Sequence, residues 1–136
     1  MADMSKLLGR ARQAAEASYC PYSHFRVGAA LLCKDGTVFE GTNVENRSYG
    51  LTNCAERSAV FSAISAGKNE FEAIAVCTPD SSAAVAPCGA CRQVLSEFAN
   101  PDFPVTFAGR DRRVDTTLGE LYPFDSLQNL KQGVPG

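Results

Sequence analysis

The chain reads as an α/β protein, a three-layer α/β/α sandwich with a mixed central sheet, and three observations predict it. Helix-like and strand-like patterns alternate in the order helix, hairpin, helix, strand, helix, strand. The run at 71–77 has the β-branched and aromatic content of a strand covered on both sides. A hydrophobic content of 45% over 136 residues suits one globular domain, 1–136, built around a single core.

Each element follows from local chemistry. Leu8, Ala11, Ala15 and Ser18 recur at steps of three and four, which predicts a first helix over 5–18. The mostly apolar run 25–33, the turn residues Lys34-Asp35-Gly36 and the strand formers of 37–41 predict a β-hairpin. The polar stretch 43–53 leads into a helix over 54–66, with Thr52 or Asn53 as N-cap and Gly67 as the stop. After strand 71–77 comes a loop of small and polar residues, 78–87, then a third helix over 89–99. Residues 104–108 read as a strand, Gly109-Arg110-Asp111 as a turn, and 118–122 as a helical turn ended by Pro123. Arg110 to Arg113 read as a solvated charge cluster, and 132–136 as a frayed tail.

Bulk charge narrows the function classes. A formal net charge of −2 leaves no clustered cations for a polyanion, so neither nucleic acid nor an anionic membrane is an expected partner. No long apolar segment marks a signal peptide or a membrane span, and the expected location is cytoplasmic. Six cysteines in such a chain point to metal binding or catalysis rather than to a disulfide framework.

Two segments carry that chemistry, Asn53-Cys54-Ala55-Glu56-Arg57 and Pro87-Cys88-Gly89-Ala90-Cys91-Arg92, each where a loop enters a predicted helix. Three thiolates suit tetrahedral Zn²⁺ with the fourth position left to water, and helix N-termini lower thiol pKa values. Glu56, two residues beyond a ligand, stands where a general acid/base is needed.

These residues match the three-cysteine form of the zinc-deaminase pattern, in which a non-ligand Glu accompanies a Pro-Cys-x-x-Cys segment. With Pro21-Tyr22-Ser23-x-Phe25-x-Val27-Gly28-Ala29-Ala30 and Asn43-Val44-Glu45-Asn46, the chain resembles the small homotetrameric cytidine deaminases from Tyr19 to Leu130. The resemblance implies that fold, one zinc per subunit, Glu56 as the proton shuttle, and free cytidine or deoxycytidine converted to uridine or deoxyuridine plus ammonia in pyrimidine salvage. It also implies that Asn43 and Glu45 bind the ribose hydroxyls, that Phe25 packs on the base, that Ala55 contacts substrate, and that Phe124 completes a neighbouring subunit's pocket.

Three thiolates make the metal site formally anionic, so a cation is expected beside them. Arg57 and Arg92 are the candidates, with Arg57 favoured because it follows Glu56 directly.

Blander readings stay open. A redox Cys-x-x-Cys gives Cys54 and Glu56 no role, while a closed structural zinc site would draw a fourth thiolate from Cys20, Cys33 or Cys77. Alone, Cys33 and Cys77 read as small buried hydrophobes and His24 as a surface residue. A deaminase of a modified nucleoside, of the blasticidin type, shares the metal motif; in a zinc-stabilised binding module Glu56 would be dispensable.

Overall fold

The computed structural model describes residues 2–127 and Leu130. Helix α1 (Met4–Ala14) starts where the Asp3 carboxylate accepts the Lys6 N–H at 3.1 Å, and it tightens into a 3₁₀ turn at Ala15–Ala17. Strands β1 (Gly28–Cys33) and β2 (Val38–Thr42) form the expected hairpin, pairing antiparallel from Gly28 opposite Thr42 to Leu32 opposite Val38. Helix α2 (Ala55–Ser65), strand β3 (Phe71–Cys77), helix α3 (Gly89–Phe98), strand β4 (Pro104–Ala108), strand β5 (Arg113–Thr117) and the short helix α4 (Leu118–Leu121) follow in order. The expected frayed tail, 132–136, lies outside the described residues.

Among the described residues the sheet has the order β2-β1-β3-β4-β5, with only β3 and β4 parallel. A parallel pair needs a crossover, and α3 supplies it. The alternation of strand side chains divides the core into two layers. Ala30, Ala73, Ala75 and Cys77 face Leu7 and Ala11 of α1. Ala29, Leu31, Ile74, Val76, Val105 and Phe107 face the other way, onto Ala59, Val60 and Ala63 of α2 and Leu95 of α3. The three-layer mixed α/β fold is therefore the one expected.

Two glycines set the position of α2. At Gly41 an added Cβ would lie 2.4 Å from both the Ala55 carbonyl oxygen and the Ala59 nitrogen, so β2 and the start of α2 touch backbone to backbone. At the other end Gly67, with φ 82°, donates to the Ile64 carbonyl while Lys68 donates to Ala63, a Schellman stop.

Two expectations need correction. Neither Thr52 nor Asn53 caps α2: Cys54 holds that position in an extended conformation, while the Thr52 hydroxyl accepts from the Asn46 N–H and the Asn53 amide donates to Ser58. The arginine-rich segment after Gly109 is not all turn, because Arg113 begins the edge strand β5, where it pairs with Asp115 at 3.0 Å. Among the described residues no helix is long and apolar enough to cross a membrane.

Candidate metal and active site

The site forms where two helices begin side by side. Cys54 is the N-cap of α2 and Cys88 the N-cap of α3, both extended, and neither side chain makes a capping hydrogen bond. Each thiol is therefore left free to face the other helix start. Cys91, in the first turn of α3, is buried beneath them. The Cys54 and Cys88 sulfurs lie 3.6 Å apart, those of Cys88 and Cys91 3.4 Å, and all three within 4.8 Å of one another.

Those spacings are far too long for a disulfide, and all six cysteines are free. They approach the edge of about 3.8 Å that a tetrahedral site with Zn–S bonds of about 2.3 Å requires. Three converging thiols, one exposed, one half-buried and one buried, fit a zinc ion with a free fourth position. Cys33 and Cys77 are buried in strands and Cys20 is half-buried; none belongs to this cluster.

Electrostatics act unequally on Cys54 and Cys91. The hydrogen bond with Cys91 draws the Cys54 thiol down to about 5, with Arg57 and Cys88 adding to the effect. That same contact with Cys54, reinforced by burial, pushes the Cys91 thiol upward. Arg57 Nη2 donates to Cys54 Sγ at 3.3 Å. Arg92, by contrast, spends its donors on backbone carbonyls, Nε on Pro87 at 2.8 Å and Nη1 on Leu121 at 2.6 Å, tying α3 to α4.

Glu56 sits in the first turn of α2, only 4% exposed. Burial, with its own backbone N–H opposing and the neighbouring Cys54 adding, raises its carboxyl to about 7. A carboxyl that titrates near neutrality inside a cleft can both take and give a proton.

A small cavity of about 210 Å³ opens beside these groups. Cys54, Ala55, Glu56 and Cys88 form its floor, Phe25, Val27 and Asn43 one wall, and Thr78, Val85 and Ala86 another. Asn43 is buried, accepting from the Val27 N–H at 3.0 Å and donating to the Phe25 carbonyl at 2.8 Å, so it holds the Phe25 wall in place. Glu45 does not line the cavity itself; its carboxylate is held by the 22–23 turn and its pKa lowered, chiefly by the Ser23 hydroxyl. Phe124 is 101% exposed, has φ 57° and lies away from this chain's own cavity. A larger groove, about 650 Å³, runs beside α3 and α4, but no cysteine or histidine lines it.

Sequence reasoning missed the wall formed by the loop after β3. Asp80 in that loop receives the Arg26 backbone N–H at 2.9 Å and the Arg26 guanidinium at 2.7 Å, tying the loop to the residue after Phe25. Neither charge belongs to a motif, and the two lie 54 positions apart, so no local pattern could have signalled the pair.

Residues 1–106 match the family model described as the cytidine and deoxycytidylate deaminase zinc-binding region. The chain is 50% identical to a cytidine deaminase of Halalkalibacterium halodurans over 122 residues, covering 89% of this chain and 92% of that one. It is 48% identical to the Sporosarcina psychrophila cytidine deaminase, covering 89% of each. A crystal structure of the Burkholderia pseudomallei cytidine deaminase superposes with a TM-score of 0.85 at 48% identity, covering 91% of this chain and 98% of that one.

Proposed function

The chain belongs to the zinc-dependent cytidine deaminase family, and from that premise we propose that it hydrolyses cytidine and deoxycytidine to uridine and deoxyuridine, releasing ammonia. The observation that carries this reading is one cavity bordered by two thiols of the metal cluster and by a buried carboxyl raised to about 7.

Cys54, Cys88 and Cys91 would hold the zinc ion, which, once bound, supplies a Lewis acid that makes water nucleophilic at neutral pH. Glu56 accepts a proton from the water that attacks C4 of the base and returns it at N3. It then takes the proton of the hydroxyl newly added at C4 and passes it to the departing amino group, leaving a carbonyl where the amine was. Water adds, ammonia leaves, and no external acid or base is consumed.

Phe25 offers its ring to the base from the cavity wall, and Ala55 its backbone at the start of α2. Asn43 and Glu45 bind the sugar hydroxyls, a polar requirement that rejects ligands lacking them. Phe124, exposed and turned away from its own cavity, supports a role in the pocket of a neighbouring subunit within a homotetramer. The substrate would then be a free nucleoside, and the reaction one of pyrimidine salvage.

Glu56→Gln tests the reading. The variant should keep its zinc content and lose cytidine conversion, followed by ultraviolet absorbance, by about 10²- to 10⁴-fold. Wild-type turnover in that variant would overturn the proposal.

A further inference from the structure

Ser23 stands outside the cavity, yet its one hydroxyl touches both residues that the proposed function assigns to opposite ends of a nucleoside. The turn that carries it is closed by the His24 N–H donating to the Cys20 carbonyl at 2.9 Å, with His24 at φ 58°. That left-handed residue is unfavourable for a side chain with a Cβ, so the contacts around it must hold the turn.

Those contacts converge on Glu45. Its Oε1 accepts the backbone N–H of Tyr22 at 3.0 Å and of Ser23 at 3.2 Å, and its Oε2 accepts the Ser23 hydroxyl. The backbone of Glu45 is anchored separately, through its N–H to the Tyr19 carbonyl at 2.8 Å. An ionised carboxylate offers about four acceptor positions, of which these donors fill three. The orientation of the fourth is thereby set, and it is the one left for a ligand hydroxyl.

A serine hydroxyl has a single proton. Here it is committed to Glu45, so toward Phe25 the oxygen can only accept, and it takes the Phe25 N–H at 3.0 Å. Phe25 is consequently gripped at both ends of its backbone, at N–H by Ser23 and at the carbonyl by the Asn43 amide at 2.8 Å.

We propose that Ser23 is a positioning residue for nucleoside recognition, orienting the Glu45 carboxylate and the Phe25 backbone through one hydroxyl. The inference rests on the proposed function. Ser23 acts on binding through its neighbours, without contact to the reacting atoms, so its loss falls on KM rather than on kcat.

The experiment compares steady-state kinetics on cytidine for wild type, Ser23→Ala, Ser23→Thr, Glu45→Ala and the Ser23→Ala/Glu45→Ala double variant, with zinc content measured on each. Ser23→Ala should raise KM about tenfold, the scale of one hydrogen bond to a charged group, with kcat within about twofold. Ser23→Thr keeps the oxygen and should return KM close to wild type. In the Glu45→Ala background the Ser23→Ala change should raise KM by a smaller factor than it does alone. A wild-type KM in Ser23→Ala, a Ser23→Thr variant as impaired as Ser23→Ala, or effects that multiply fully in the double variant would each overturn the inference while leaving the deaminase reading intact. A wild-type chain that leaves cytidine unchanged overturns both.

Discussion

Arg57 Nη2 lies 3.3 Å from Cys54 Sγ, while the Nε of the same guanidinium is buried without a hydrogen-bond partner. The side chain has thus accepted an unsatisfied donor in order to place its charge on a thiol, and contact with Cys54 strengthens its own hold on the proton. From that position it would offset the excess negative charge of three thiolates.

Arg57→Gln removes the cation and leaves a shorter, neutral amide donor in its place. It should lower zinc affinity or cytidine turnover by about tenfold or more, the loss expected when a group hydrogen-bonded to a metal ligand is changed. Unchanged metal content, measured by atomic absorption after dialysis, together with an unchanged rate would remove the charge argument. Arg92→Gln is the control, because its donors serve the Pro87 and Leu121 carbonyls.

Chelation should abolish deamination and expose thiols. Cys88 is exposed and Cys54 half-buried, whereas Cys33 and Cys77 are buried in strands. Reaction with a disulfide reagent should therefore speed up when metal is withdrawn, and zinc at a hundred times its Kd should restore about 3 kcal/mol of stability. Identical thiol reactivity with and without chelator would contradict the assignment of these cysteines as ligands.

Asp80 tests the wall that faces Phe25. Hydrogen bonding from the Arg26 guanidinium and then from the Arg26 backbone holds its carboxyl down to about 2, against an ordinary 3.8. A carboxyl depressed on folding contributes stability above its unfolded pKa and loses it as pH falls through the folded one. Wild type should thus melt a few degrees above Asp80→Asn at about pH 5 and higher, with the difference fading toward pH 2. A gap undiminished at pH 2, by calorimetry, would mean that the charge is not what stabilises this contact.

Phe124→Ala should leave metal content unchanged and raise KM if the ring completes another subunit's pocket. Mixing it with Glu56→Gln and letting subunits exchange should recover turnover at the wild-type KM, which neither parent shows, because some pockets would then combine an intact Glu56 with an intact Phe124. Sedimentation at one monomer mass with full activity would exclude the shared pocket.

The metal cluster was legible in the sequence because helix starts advertise themselves locally: a loop, a Pro87, a run of helix formers, and cysteines at the seams. Strands β3 and β4 were legible to the residue because both are buried runs with sharp turn chemistry around them. Strand β5 was not, since an edge strand carries Arg113 and Asp115 on the exposed surface and looks like a turn. The cap of α2 was misplaced because asparagine and threonine outrank cysteine as caps, yet here the capping position is taken by a thiol directed elsewhere. Long-range pairs such as Arg26 with Asp80 have no periodic signature at all.

Cys54 and Cys88 lie 3.6 Å apart in space and 34 positions apart along the chain. An ion gripping both sulfurs closes a loop of that length around α2, β3 and the 78–87 segment. If it acts like a covalent cross-link, it denies the unfolded chain configurational freedom amounting to about 4 kcal/mol. The ion that serves the chemistry would then also be a clasp on the polymer, so that each turnover takes place at one of the knots by which the chain is kept from coming undone.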